Sequence, residues 1–372
     1  MIRAPSIDIA EVGAGGGSIA YLDQAGGLRV GPRSAGALPG PVCYQRGGTE
    51  PTLTDANVVL GYIRPGNLAD GDVSIDLEAA ERAVTDSIAA PLGMTLLRAA
   101  EGIYRIGNAR TMRALRSVST ERGRDPRDFV LMAFGGSGPI HAAGLARELC
   151  ISRVIVPPLP GLFSALGLLF SGIEHHEVRS CLLSGESLTE ESLEQLRDEM
   201  EQKMLKQFAA EGYTADPIEL RCDFDMRFKG QTSEIRVELA DRHDGRDGSI
   251  DENTVRTVCA SFEEEHEQLY GHRSDPDNPV EVVAVRLVGR AATRGHQGAL
   301  KPAERPGTTE PSRRAYFDGK TVETPVLARS ALTARMDGPL LIDEYDSTIV
   351  VPPDAHAALD DQGNIVMELK DA

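Results

Sequence analysis

The chain has 372 residues, 41% of them hydrophobic and 26% charged, an ordinary composition for a soluble globular protein with room for two or three domains. Its 39 basic and 57 acidic residues leave a formal net charge of −18. That balance argues against a general binder of nucleic acid or of anionic membrane, though not against one nucleotide held by backbone amides.

No apolar run is long enough to span a bilayer, and Met1-Ile2-Arg3-Ala4-Pro5 lacks the apolar stretch of a signal peptide. Residues 7–12, Ile-Asp-Ile-Ala-Glu-Val, read as a strand, and Val12-Gly13-Ala14-Gly15-Gly16-Gly17-Ser18 turns sharply after it. A dinucleotide-binding turn must open a helix, yet Ser18 to Asp23 reads as a second strand and residues 26–31 as a turn into a third. Ser18 also stands where the third glycine of that fingerprint belongs. A hairpin whose tip carries the glycines is therefore expected. Residues 33–66 are dense in Gly and Pro and read as an ordered loop region lining a site. Helices are expected over 76–91 and 95–122, the second stopped by Gly123.

Asp128 to Phe134 reads as a strand, Gly135-Gly136-Ser137-Gly138 as a turn, and Pro139 suits the first position of a helix running to Leu149. Arg153 to Val156 then gives a strand parallel to the first, by a right-handed crossover. The helix N-terminus points at whatever the turn binds, which favours negative charge. An acidic helix opens near Ser187, with Leu193, Leu196, Met200, Met204 and Phe208 on one face, and ends at Gly212. Ile218, Leu220, Cys222, Phe224, Met226 and Phe228 alternate with polar residues, as in a half-buried strand. A strand at 235–239, a helix near 251–270 and a strand near 280–290 complete an α+β module. Residues 296–313 read as a linker, and the remainder as a small β-rich module. The expected division is 1–183, 184–295 and 296–372.

Side-chain-free turns at strand ends let a backbone offer N–H groups to phosphate. A tight hairpin would explain the first glycine turn alone, and a close-packed crossover the second; both together favour a nucleotide cleft. Asp8 and Asp55 are candidate Mg²⁺ ligands beside a phosphate turn, with the capping of backbone amides as the alternative. His141, two residues past the second turn, reads as a hydrogen-bonded helix-start histidine, with phosphate or metal contact as the other use. His175-His176 reads as surface loop, Cys43 lacks the neighbours of a nucleophile, and Met200 with Met204 reads as core. The five cysteines form no Cys-x-x-Cys pair, which suits a reduced, cytoplasmic protein.

Several blocks resemble the hydantoinase A/oxoprolinase family: Gly13 to Ala20, Val30 to Ala37, Pro39 to Tyr44, Thr52 to Asn57, Phe134 to Ala142 and Pro157 to Gly167. Arg227 to Gln231, Tyr270 to Arg273 and Ser347 to Pro353 resemble its C-terminal portion. The resemblance implies a ribonuclease-H-like ATPase lobe of the actin/Hsp70/sugar-kinase type, followed by α+β and β-rich modules. It implies ATP and Mg²⁺ as cofactors, with Gly13, Gly15, Gly16, Gly17 and Ser18 as the second phosphate loop. Gly135, Gly136, Ser137 and Gly138 become the adenosine-side turn, Asp55 a candidate catalytic carboxylate, and Asp8, Asp55 and His141 candidate metal contacts. The implied activity is ATP-dependent hydrolysis of a cyclic amide of the hydantoin, 5-oxoproline or lactam type, through phosphorylation of a carbonyl oxygen. The family also holds ATP-using subunits of ketone carboxylases. Family members carry an Asp-Gly-Gly-Thr-Phe-Thr-Asp-like first phosphate loop on an earlier lobe, and no such run occurs here. The expectation is a chain inactive alone that works with that lobe and a hydantoinase B-type subunit; a non-catalytic partner-binding subunit is the rival.

Overall fold

The computed structural model describes residues 9–68, 73–213, 218–239, 250, 252–271, 278–291 and 310–370. Backbone contacts divide the chain into two units, one of residues 9–166 with 299–372, the other of 1–8 with 167–298.

The first unit opens with an antiparallel hairpin, β1 (Ser18–Leu22) and β2 (Leu28–Ser34). Its turn is shaped by Asp23, whose carboxylate accepts from the N–H groups of Ala25 (3.0 Å) and Gly27 (2.8 Å) and from Arg29 (2.8 Å). The hairpin tip is thus Asp23 to Gly27, and the glycine run Gly13 to Gly17 precedes β1 rather than forming the tip. Residues 9–12 are not strand, and Ile9 is 70% exposed; apolar composition alone does not make a strand without a partner. Asp8 lies outside the described residues.

Within the stretch expected to be loop stands a fully buried helix, α1 (Leu53–Val59). It starts with a capping box: the Thr52 hydroxyl accepts from the Asp55 N–H, while the Asp55 carboxylate reaches back to the Thr52 N–H. A small hairpin, β3 (Gly66–Leu68) and β4 (Val73–Ile75), leads to α2 (Leu77–Val84), which passes through a π-helical turn into α3 (Ala90–Leu92). The long α4 (Leu96–Val118) is capped by Thr95, and Gly123 at φ 70° ends the short 3-10 turn after it, the expected stop.

The strand-turn-helix-strand unit is present as β5 (Leu131–Met132), α5 (Gly138–Glu148) and β6 (Arg153–Val156), with β5 and β6 parallel. Strand β5 is shorter than the expected 128–134. Helix α6 (Phe163–Phe170) follows.

The second unit is an antiparallel sheet under two helices: β7 (Ile173–Ser184), α7 (Glu190–Ala210), β8 (Ile218–Phe228), β9 (Ile235–Glu238), α8 (Glu252–Tyr270) and β10 (Val280–Ala291), with strand order β7-β10-β8-β9. Leu193, Met200, Met204 and Phe208 of α7 join Cys222, Phe224, Met226 and Phe228 of β8 in one core. The alternation of β8 is real, but its other face is buried too. Asp225 there is held by Arg286 at 2.7 Å, which explains how a carboxylate is tolerated inside. His175 and His176 lie on β7, not in a loop. They diverge as period two requires: His175 meets Glu211 (2.7 Å) and packs on Phe208, while His176 meets Glu174 (2.7 Å).

The chain then returns to the first unit as β11 (Ser312–Phe317), β12 (Lys320–Leu327), β13 (Met336–Asp337), β14 (Leu340–Asp343), β15 (Thr348–Val351), β16 (Ala355–Leu359) and β17 (Ile365–Leu369). One sheet runs β11-β12-β14-β15 and another β13-β16-β17-β6-β5. Strand β17 lies antiparallel to β6. Strands β13, β16 and β17 therefore extend the β5-β6 sheet of the first unit, and residues 299–372 belong to that unit instead of forming the separate C-terminal module expected at 296–372. Their core includes Val154, Val156, Ala142 and Ala146 from β6 and α5. Of the expected linker, residues 296–309 lie outside the described residues.

Candidate functional site: two glycine turns facing one another

The first turn is tied down through its carbonyls. Gly15 O accepts from Ser18 N (2.9 Å), Gly16 O from Thr54 N (2.9 Å) and Gly17 O from Ala35 N (2.8 Å), while the Ser18 hydroxyl accepts from Gly15 N (2.9 Å). With the oxygens committed, the N–H groups of Gly16 and Gly17 meet no acceptor among the described residues. A Cβ on Gly16 would stand 2.7 Å from the Thr54 hydroxyl, so only glycine fits. The point a Cβ on Gly31 would take lies within 3.5 Å of Gly13 O, Ser18 Oγ and an Arg110 guanidinium nitrogen. A cation from α4 therefore stands beside the turn.

The second turn is tied through one N–H and one carbonyl. Gly135, at φ 84°, donates to Pro160 O (2.7 Å), and Gly136 O accepts from the Ser347 hydroxyl (3.0 Å). The N–H groups of Gly136, Ser137 and Gly138 meet no acceptor among the described residues, and the Ser137 side chain makes no capping bond to α5. These are the free donors of a helix start, where the helix dipole favours an anion. The two turns are adjacent: the position of a Cβ on Gly16 is 3.9 Å from Ser137 Oγ. Two distant stretches of sequence, each with uncommitted peptide donors among the described residues, are thus brought side by side.

Three helices behind the turns hold this arrangement. His141, in the first turn of α5 and 7% exposed, bonds Asn108 of α4 through Nδ1 (2.7 Å) and Asn57 of α1 through Nε2 (3.2 Å), and stacks on Tyr104. The Asn108 carbonyl oxygen takes the Nδ1 proton and the Asn57 amide donates to Nε2, so the ring is neutral. Burial pushes its pKa down to about 4. With both nitrogens engaged, His141 has no lone pair to offer a metal, and the helix-start reading holds.

Asp55 is fully buried. Its carboxylate accepts from Cys43 N (2.7 Å), Val42 N (3.2 Å), Thr52 N (2.7 Å) and the Thr52 hydroxyl (2.7 Å). Four donors fill its acceptor capacity, so it is a scaffold carboxylate rather than a catalytic or metal-binding one. Cys43 is buried beside it, and burial with the Asp55 charge pushes its thiol far up, which removes it as a nucleophile. Among the described residues no group of three or more His, Cys, Asp or Glu is placed to hold a metal ion. No helix of the described residues is long and apolar enough to cross a membrane.

Sequence reasoning missed Thr54, Asn57, Asn108, Arg110 and Ser347. The capping spacing Thr52-x-x-Asp55 signals α1 and hence Thr54; a polar Asn108 within the buried stripe of α4 was the available hint of a network.

The fold is a mixed α/β architecture with several sheets, and its candidate site is a pair of peptide-amide turns. A model of hydantoinase/oxoprolinase matches residues 1–177, and one of the hydantoinase/oxoprolinase C-terminal domain matches residues 185–372. The chain belongs to the hydantoinase/oxoprolinase family. It is 35% identical over 96% of its length to caprolactamase subunit alpha of Pseudomonas jessenii, and 33% identical over 100% to the acetophenone carboxylase gamma subunit of Aromatoleum aromaticum. The crystal structure of the ATP-dependent caprolactamase from Pseudomonas jessenii superposes with a TM-score of 0.82 at 33% identity, covering 95% of this chain and 52% of that one. The chain likewise spans 52% of the length of both relatives.

Proposed function

We propose that the chain is the second ATPase lobe and C-terminal part of an ATP-dependent cyclic-amide hydrolase, with the first unit a ribonuclease-H-like lobe of the actin/Hsp70/sugar-kinase type. The observation that carries this reading is the set of five peptide N–H groups, from Gly16, Gly17, Gly136, Ser137 and Gly138, that meet no acceptor among the described residues and belong to two turns standing side by side at Gly16 and Ser137. Phosphate oxygens are acceptors only, so this donor set fits them. Bound ATP would supply the phosphoryl group that makes an amide carbonyl oxygen a good leaving group.

The chain's own residues hold and neutralise. The amides of Gly16 and Gly17 and those of Gly136 to Gly138 grip phosphate oxygens from two sides, with Gly13, Gly15, Ser18 and Gly135 shaping the turns. The positive end of α5 and the Arg110 guanidinium lower the electrostatic cost of the bound charge. The Asn57–His141–Asn108 bridge fixes the spacing of α1 and α5, and so of the turns. Mg²⁺ would arrive with the phosphates, because the described residues offer no carboxylate cage.

The other wall of the cleft is assigned to the half of the relatives' length that this chain does not span, and catalysis to a cytoplasmic hetero-oligomer with a hydantoinase B-type subunit. Caprolactamase, the relative with the higher identity of the two, favours a lactam substrate. The acetophenone carboxylase relative supports a second reading, the ATP-using subunit of a ketone carboxylase.

Calorimetric titration with Mg-ATP, of the chain alone and mixed with the N-terminal half of the caprolactamase alpha subunit, tests the nucleotide claim. Binding in neither case refutes it. Phosphate release that rises with a lactam, and not with a ketone plus bicarbonate, selects the first reading. Steady ATPase activity lost in Gly16→Asp excludes a non-catalytic subunit.

A further inference from the structure

Beside the second glycine turn lies a carboxylate that none of the foregoing uses. The tight turn from Glu344 to Ser347, between β14 and β15, closes with a bond from Glu344 N to Ser347 O (2.9 Å). Its Ser347 hydroxyl donates to Gly136 O (3.0 Å), and the Asp346 carbonyl oxygen stands 3.5 Å from the place a Cβ on Gly136 would take. Both carboxylate oxygens of Asp346 are shut off from solvent, and no hydrogen-bond donor among the described residues reaches them. They lie against Gly161, where a Cβ would sit 2.6 Å from one of them. The turn is also anchored: Arg329 donates to Glu344 and to the carbonyls of Val156 (3.2 Å), Pro157 (2.9 Å) and Gly363 (2.8 Å).

An acceptor-only group kept from water without a donor is costly. Such a cost persists where the surrounding structure imposes it and often marks a functional position. The cover over Asp346 shows a second departure from relaxed geometry, since Leu159, just before Pro160-Gly161, adopts φ 51°. That cover is joined to the second turn through the Gly135 N–H to Pro160 O bond.

We propose that Asp346 is the ribose contact of the site: a vicinal diol, attached to phosphates held between Gly16 and Ser137, donates both hydroxyls to this carboxylate once the Pro160-Gly161 cover shifts. The inference rests on the nucleotide reading above and deepens it, because Gly136 is bonded to the Asp346 turn and its neighbour Ser137 stands beside Gly16. A carboxylate repels phosphate but accepts from paired hydroxyls. Asp346 therefore distinguishes a nucleoside triphosphate from inorganic triphosphate.

Affinities are measured under the titration conditions above for ATP, 2′-deoxy-ATP, 3′-deoxy-ATP and inorganic tripolyphosphate, with wild type and Asp346→Asn. Wild type is expected to bind each deoxynucleotide about tenfold or more weakly than ATP, the loss of a hydrogen bond to a charged group. In Asp346→Asn that preference collapses to less than threefold, while tripolyphosphate affinity is not reduced. Equal binding of ATP and both deoxynucleotides by wild type overturns the proposal without needing a variant, and so does a preference retained in Asp346→Asn. Tripolyphosphate binding with no ribose preference strikes only this inference. Absence of binding by ATP and tripolyphosphate alike strikes the nucleotide reading and this inference with it.

Discussion

The neutral state of His141 gives a prediction with a magnitude. The imidazole is enclosed by Asn57, Asn108 and Tyr104, and burial lowers its pKa from an ordinary 6.5 to about 4. As pH falls through 6.5 the unfolded chain takes up a proton that the folded chain refuses, so the contribution is complete above 6.5 and lost between 6.5 and 4. A gap of that size corresponds to about 3 kcal/mol. The assay is urea unfolding followed by tyrosine fluorescence, which suits a chain with eight Tyr and no Trp, at pH 7.5 and pH 4.5. Other groups titrate in the same range, so the difference between wild type and His141→Gln isolates the imidazole. Glutamine leaves part of the Asn57–Asn108 bridge unmade and should cost about 1–3 kcal/mol at pH 7.5, and much of that gap should close at pH 4.5. Stabilities of the two proteins that run parallel over this interval would refute the buried neutral histidine.

Gly16→Ala places a methyl 2.7 Å from the Thr54 hydroxyl; it should weaken triphosphate binding about tenfold or more while shifting stability by only about 1–2 kcal/mol, read by calorimetry and urea unfolding. Asp55→Ala leaves three buried donors and the half-buried Val42 N–H unpaired and should destabilise by about 3 kcal/mol, with residual nucleotide affinity in the folded fraction near wild type; a folded, stable variant that has lost only catalysis would return Asp55 to a chemical role. In the second unit, Phe224→Ala removes a fully buried ring and should cost about 3–5 kcal/mol without altering nucleotide affinity.

Periodic elements were legible because one residue spacing settles them. The face Leu193, Met200, Met204 and Phe208 and the alternation from Cys222 to Phe228 stand in the core as their spacing requires, and Pro139 after a glycine turn marked the start of α5. What failed depended on partners far along the chain. The apolar pattern at 7–12 implied a strand, but residues 9–12 pair with no strand among the described residues. Helix α1 was hidden by Gly and Pro on either side, although its Thr52-x-x-Asp55 start was readable. The C-terminal strands read as a separate module because no local signal reveals that β17 pairs with β6. The same limit applied within the site. The two turns were visible as glycine runs, whereas the saturation of Asp55 by Cys43, Val42 and Thr52, and the bridging of His141, depend on contacts that spacing does not encode.

The most direct measurement is an amide NMR titration of chain labelled with ¹⁵N-glycine, with tripolyphosphate added and the complementary half present. Resonances of Gly16 and Gly17 should move together with those of Gly136 and Gly138, saturating at one concentration, while Gly212 and Gly230 of the second unit stay fixed. Shifts confined to one turn, or saturating at two different concentrations, would contradict a shared anion site.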